Sequence, residues 1–253
     1  MKAIRISKMA PPVRNGGLAQ RGLGEVVYPE SDGRPMAETD DHLEQMMYLV
    51  AALKLWFEKR KQVYVAGNNL IYYQEGDPRL RISPDVYVVK GVEKRKRRVY
   101  KLWEERKAPG VVIEISSKGT RREDLVTKHR LYRDVLGVKE YYIYDPLREY
   151  LPGRMKAWGL ERGAYVERTI EGDRILSREL GLYLVDGKML RLVDPKTGEE
   201  LRTLAEEAQA RLRAEVQCRR AEEARLRADE ARRAAEAERE VLRAEVDRLR
   251  RRR

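Results

Sequence analysis

From Glu199 to Arg253 the sequence contains no glycine and no proline. This stretch carries 16 Arg, no Lys and 14 Asp plus Glu, and Ala, Glu, Arg and Leu dominate it. Glycine and proline are the residues that punctuate helices, so a run lacking both in this composition reads as one long solvated helix. At about 1.5 Å per residue it would reach roughly 80 Å. Leu201, Leu204, Ala208, Leu212 and Val216 step by three and four. The middle, from Arg219 to Glu240, offers mainly alanine, and Leu242, Val246 and Leu249 restore the stripe. That is an interrupted coiled-coil pattern. The segment VDPKTGEE (193–200) makes a natural break before it. Residues 199–253 are therefore expected to be a helical, coiled-coil-like tail outside the globular core.

The whole chain of 253 residues has a net charge of +12, and the tail carries +2 of it, so +10 falls on residues 1–198. A basic globular part suggests a polyanionic partner. One cysteine, Cys218, excludes a disulfide framework and a Cys-based zinc cluster. Two histidines, His42 and His129, are too few for a His-built metal site. The longest apolar run, MMYLVAALKLWF (46–57), is short and interrupted by Lys54, so no membrane span is expected. The start, MKAIRISKMAPPV, has no apolar core of a signal peptide, and a cytoplasmic location is expected. Residues 1–35 carry Pro11, Pro12, Gly16, Gly17, Gly22 and Gly24 with little periodicity and read as irregular.

The middle alternates helix and strand. Leu43, Met46, Met47, Val50, Leu53 and Phe57 mark a helix over 41–58, capped by Thr39 or Asp40. Strand-like runs follow at 62–67, 70–74, 85–90 and 111–116. A second helix is expected over 121–136, with a T-x-x-E box at Thr120 and Glu123 and a stop at Gly137. YYIYD (141–145) is the next strand, and shorter candidates follow residue 150. This order, with one strand–helix–strand crossover, argues for an α/β domain around a mixed sheet, over residues 36–192.

Glu114 is the most informative residue. It stands inside VVIEIS (111–116), where its neighbours are apolar. An unpartnered buried carboxylate costs several kcal/mol, so such a residue must be paired or face a polar cleft. Alternation places Glu114 on one face with Val112 and Ser116, and Val111, Ile113 and Ile115 on the other. Asp85 follows Pro84 at the start of another strand; alone it reads as a turn residue. Lys128 lies on the second helix, where a surface ion pair with Asp124, four residues earlier, explains it equally well. Together, two carboxylates on adjacent strands can hold a hard divalent cation, and a nearby lysine can stabilise charge on a phosphorus-bound oxygen.

The series SPDVYVV (83–89), APGVVIEISSKGT (108–120), DLVTKHRLY (124–132) and GVKEYYIYDP (137–146) resembles the Uma-two family of restriction-endonuclease-like proteins in the PD-(D/E)XK superfamily. The likeness covers about residues 35–190 and includes SDGRPMAETDDH (31–42). The resemblance implies a mixed central sheet flanked by helices and a metal-dependent endonuclease acting on nucleic acid, with DNA the expected substrate. It implies Asp85 and Glu114 as metal ligands and catalytic residues, with Mg²⁺ or Mn²⁺ as the cofactor and the backbone carbonyl of Ile115 as a further ligand. The superfamily places a lysine two residues after the motif Glu; here that residue is Ser116, and Lys128 is implied as the migrated catalytic lysine. Glu38 or Glu44 would add to the metal site.

The run EKRKRRVYK (93–101) lies between the strands holding Asp85 and Glu114. As a loop beside the metal site, its Lys94, Arg95, Lys96, Arg97 and Arg98 would contact phosphates. The tyrosines, among them Tyr72, Tyr73, Tyr132, Tyr141, Tyr142 and Tyr144, read by default as packing residues, and His42 and His129 as structural. The tail suggests a homodimer or other homo-oligomer. Two readings stand beside the nuclease: an inactive nuclease fold that only binds nucleic acid, left open by Ser116, and an interaction protein acting through the tail.

Overall fold

A computed structural model of the chain describes residues 26–31 and 39–251. Most of the irregular N-terminal segment, and Glu38 with it, lies outside the described residues.

Helix α1 spans Asp40–Trp56, and the Thr39 hydroxyl caps it by accepting the His42 amide at 3.3 Å. Its packed face is Gln45, Tyr48, Leu49, Ala52 and Leu53, continued by Phe57. The stripe expected through Leu43 and Met47 is instead 44% and 53% exposed at those residues. Residues 46–57 are apolar on almost every side, so periodicity alone does not select the inward face.

The strands are β1 (Val63–Ala66), β2 (Ile71–Tyr72), β3 (Arg81–Ile82), β4 (Val86–Lys90) and β5 (Tyr100–Lys101). A short helix α2 (Leu102–Glu105) leads to β6 (Val111–Ile115). After a helical crossover come β7 (Glu140–Tyr144), β8 (Met155–Glu161) and β9 (Ala164–Glu167). Then follow β10 (Arg174–Ser177), β11 (Leu182–Val185), β12 (Arg191–Val193) and helix α3 (Leu204–Arg250). The main sheet runs β1-β4-β6-β7-β8-β9. Only the β6–β7 pair is parallel, as a strand–helix–strand crossover requires; the other pairs are antiparallel.

One face of this sheet, with Val111, Ile113 and Ile115, packs under α1 and the β10-β11-β12 sheet. The other face, with Val112, Tyr141 and Ile143, packs under the crossover helix through Tyr132 and Leu136. Every residue of β6 is therefore buried. That is why VVIEI reads as a nearly continuous apolar run and why a charge within it is conspicuous.

The crossover helix is built largely of π-type turns, over Glu123–Lys128 and Leu131–Leu136. Asp124, Lys128, Tyr132 and Leu136 are all buried along it. Residues four apart drift around an ordinary helix of 3.6 residues per turn. The i→i+5 bonds of π-turns widen each turn and keep this four-residue stripe on one line toward the sheet. Gly137 ends the helix in the left-handed region at φ 63°, as expected. Thr120 does not form the expected box with Glu123. Its hydroxyl turns back to accept the Ser117 amide at 3.0 Å. A reciprocal box forms instead before α3, where Thr203 N–H meets Glu206 Oε2 at 2.7 Å and Glu206 N–H meets Thr203 Oγ1 at 3.1 Å. The 47-residue α3 extends about 70 Å, and its Leu204, Leu212, Leu226 and Leu242 are exposed.

Candidate active site

β4 and β6 run antiparallel with Val86 opposite Ile113, so the next pair outward is Asp85 and Glu114. The Asp85 amide donates to Glu114 Oε2 at 3.3 Å, and the Ile115 amide donates to Asp85 Oδ2 at 2.7 Å. The two carboxylates thus sit side by side on adjacent strands. Gly67, at the end of β1, makes room for them: a Cβ there would lie 2.3 Å from the Asp85 carbonyl oxygen.

The crossover helix lowers Lys128 onto this pair. Its Nζ is 2.9 Å from Glu114 Oε2 and 3.0 Å from Asp124 Oδ1. The expected pairing with Asp124 therefore exists, but in the interior: Asp124 is 1% and Lys128 9% exposed. The other Glu114 oxygen accepts the Tyr132 hydroxyl at 2.5 Å. Ser116, on the Glu114 face of β6, donates to Asp124 Oδ2 at 2.5 Å and accepts from the Tyr150 hydroxyl at 2.5 Å. From α1, His42 Nε2 approaches Asp85 Oδ1 at 3.4 Å.

The environments of the two carboxylates pull their acidities apart. Burial pushes the Glu114 carboxyl up to about 8; Lys128 draws it down, while the Asp85 and Asp124 charges raise it further. Burial would also raise Asp85, but His42, Lys128 and the Ile115 amide hold it below the ordinary carboxylate value. Desolvation alone would lower Lys128; Glu114, Asp124 and Asp85 together keep it raised and charged. Tyr132 is held neutral by burial and by the Glu114 charge.

Three carboxyl groups surround one ammonium, so the cluster has room for added positive charge. Among the described residues no group of three His, Cys, Asp or Glu is arranged as a ready metal cage. An ion of the Mg²⁺ type keeps several waters and needs only one or two carboxylates. The all-oxygen pair of Asp85 and Glu114 fits that requirement.

Asp85, Glu114, Ile115 and Lys128 are thus brought together. Glu44 lies exposed on α1. The basic run is not brought to this cluster in the expected way. Asp85 precedes β4 and the run follows it, so the connection leaves from the opposite end of the strand. Lys94 Nζ donates to the carbonyls of Phe57 and Glu58, just beyond the C-terminal end of α1, whereas His42 near its start touches Asp85. About 15 helical residues, roughly 22 Å, separate those two places. Arg95 and Arg97 are ion-paired with Glu105, and Arg98 with Glu30. Arg97 also lies over the Tyr64 ring at 4.3 Å. By contrast Lys118, on the loop leaving β6, and Arg121 and Arg122, in the first turn of the crossover helix, are exposed, and no ion pair engages them among the described residues.

His42, Asp124, Tyr132, Ser116 and Tyr150 are the participants that sequence reasoning did not assign to the site. The four-residue spacing of Asp124, Lys128 and Tyr132 was the one signal pointing at two of them. Tyr141 is a packing residue, stacked on Trp158 at 5.5 Å, and His129 packs 5.0 Å from the same ring.

The chain is thus a mixed α/β domain that gathers two carboxylates and a lysine at the ends of its central strands. A family model described as "Putative restriction endonuclease" matches residues 25–186, and the chain belongs to that family, Uma2. The chain is also similar to a solved structure from Anabaena variabilis ATCC 29413, described as a "putative nuclease belonging to DUF820". That match has 16% identity and a TM-score of 0.41, covering 58% of this chain and 78% of the other. No curated protein matches the chain. No helix among the described residues is long and apolar enough to cross a membrane.

Proposed function

We propose that this member of the Uma2 family is a divalent-metal-dependent endonuclease that hydrolyses phosphodiester bonds in DNA. The observation that carries the reading is the convergence of Asp85, Glu114 and Lys128 from three elements, with Lys128 Nζ 2.9 Å from Glu114. Asp85 and Glu114 would hold Mg²⁺ or Mn²⁺, with the Ile115 carbonyl as a further ligand. The bound ion supplies Lewis-acid charge at the phosphate and lowers the pKa of an attacking water. The Ile115 amide orients Asp85, and Tyr132 orients Glu114. Lys128 places a fixed positive charge where negative charge builds on a phosphorus-bound oxygen. Lys118, Arg121 and Arg122 are exposed cations close in sequence to Ser116 and Asp124, and they would bind the substrate's phosphates.

A second reading, binding without cleavage, is favoured by one observation: Glu114 is fully buried, with both oxygens already hydrogen-bonded to protein groups. The test is cleavage of plasmid and single-stranded DNA with Mg²⁺, Mn²⁺ or EDTA, comparing the wild type with Glu114→Ala and Lys128→Ala. Metal-dependent cleavage lost in both variants supports the nuclease. DNA binding without cleavage under every condition selects the second reading.

The tail's partner is proposed to be a second copy of the chain. The support is the row of exposed leucines along α3, including Leu212, Leu226 and Leu242.

A further inference from the structure

We propose that Asp124 is a positioning residue that fixes the Lys128 ammonium over the carboxylate pair, through a chain in which hydrogen bonds link Tyr150, Ser116 and Asp124 and an ion pair links Asp124 to Lys128. The inference rests on the nuclease reading for its catalytic consequence, but not for its geometry.

A lysine ends in a compact charge on a flexible four-carbon stem. Buried in a protein, it stays in one place only if fixed acceptors hold it. Glu114 supplies one acceptor at 2.9 Å, but from a different element, the neighbouring strand. A cation bound to Glu114 would repel the ammonium. Asp124 holds Lys128 from the helix itself, at 3.0 Å and one i,i+4 step away.

Asp124 is in turn unable to swing away cheaply. Its Oδ1 faces Lys128 and its Oδ2 accepts the Ser116 hydroxyl at 2.5 Å. The Ser116 proton points at Asp124 because the Tyr150 hydroxyl donates to the Ser116 oxygen at 2.5 Å. Both hydroxyl donors in the chain therefore have a defined direction, as a buried polar network requires. The Tyr141 hydroxyl adds a bond to the Asp124 carbonyl at 2.9 Å, tying down the backbone of the same residue. A simple stabilising ion pair needs none of this second layer. Ser116 thereby acquires a role: it is the seat of Asp124 on the strand that carries Glu114.

The test uses the full chain with Asp124→Asn, Asp124→Glu and Ser116→Ala, each checked for its unfolding midpoint. The first readout is the Lys128 ammonium ¹H–¹⁵N resonance in metal-free protein, assigned by its absence from Lys128→Ala. The wild type is expected to give a slowly exchanging signal. Asp124→Asn should abolish it, Ser116→Ala should broaden it, and Asp124→Glu should restore it in part. The second readout is cleavage with Mg²⁺. Asp124→Asn should lower kcat about 10- to 100-fold with KM little changed, the range seen when groups orienting a metal site's ligands are removed.

A folded Asp124→Asn with an unchanged lysine signal overturns the inference, even if the protein is an active nuclease. A kcat loss with the signal retained also overturns it, because Asp124 would then act without Lys128. If Asp124→Asn does not fold, Ser116→Ala decides by the same two readouts. A wild type that cleaves nothing, with the lysine signal behaving as expected, removes the catalytic role together with the nuclease reading and leaves only the geometry.

Discussion

Lys128 Nζ and Glu114 Oε2 lie 2.9 Å apart in the interior, one delivered by the crossover helix and the other by the strand before it. The contact joins a raised ammonium to a carboxyl that burial pushes toward neutrality. A pair balanced this way yields readily to an added cation, because the carboxylate gains by ionising beside it. Asp85, held ionised on the adjacent strand, keeps a full negative charge at the same place.

Activity should follow this pair. Lys128→Ala is expected to lower kcat by about 10²- to 10³-fold, the loss typical of removing one group that stabilises transition-state charge. Glu114→Ala and EDTA should each abolish cleavage. Single-turnover assays on plasmid DNA make the comparison. A Lys128→Ala protein that cleaves at the wild-type rate would mean that the lysine has no catalytic role.

The raised Glu114 predicts a pH signature in stability. Its carboxyl titrates near 4.5 when exposed and near 8 in the fold. Between those values the folded state keeps a proton that the unfolded chain has released. The proton-linked stability is therefore complete below about 4.5 and is lost as pH rises toward 8. The loss should be on the order of a few kcal/mol across the window. Glu114→Gln has no such proton, so its denaturation free energy should fall less over the same range. Parallel curves for the two proteins, measured in urea from pH 5 to 8, would falsify the assignment.

The two carboxylates were legible because the local pattern is so strongly apolar around Glu114, and because Pro84 marks the start of the Asp85 strand. The crossover helix was legible in its extent but not in its facing. Asp124 and Lys128 stand four apart whether they point to solvent or to the core, so the spacing alone was read as a surface pair. Tyr150 and Ser116, 34 residues apart, meet only because β6 and β7 are parallel neighbours. His42 reaches Asp85 only because α1 lies across the sheet. The basic run stands away from the carboxylates for a topological reason that the order of elements already contained. Asp85 opens its strand and the run closes it, so the two leave by opposite ends.

Arg97 tests whether the basic run takes part in binding. Its side chain is 2% exposed and its guanidinium bonds both oxygens of Glu105. Arg97→Ala should destabilise the fold by about 2–4 kcal/mol, because Glu105 is left without its main partner. DNA affinity per folded molecule should not change. Replacing Lys118, Arg121 and Arg122 together by Gln should instead leave stability within about 0.5 kcal/mol, as expected for exposed, unpaired residues. It should also flatten the dependence of log affinity on log salt by about 2–3 units, near 0.9 for each lost phosphate contact. Fluorescence anisotropy with a labelled duplex over a salt series reads both variants. A slope that responds to Arg97 and ignores Lys118, Arg121 and Arg122 would place the DNA on the other surface.

The tail carries its own reporter. Cys218 is exposed on α3, between the exposed Leu212 and Leu226. Those leucines are separated by two heptads, so a parallel, in-register pair of helices would align both of them with their counterparts. The same register brings the two Cys218 residues to equivalent heights on the pair, six residues past Leu212 and so off the leucine seam, too far apart for a relaxed disulfide. A bifunctional thiol crosslinker, which spans farther than a disulfide, should then give a covalent dimer of twice the chain's mass on a denaturing gel, and Cys218→Ser should give none. An antiparallel pair places each Cys218 opposite a residue elsewhere on the helix, so a dimer by sedimentation without a crosslink selects that arrangement. A chain that sediments as a monomer at every concentration leaves α3 as a lone helix held by its Glu–Arg pairs, such as Arg211 with Glu207 at 3.2 Å, and removes the second copy as its partner.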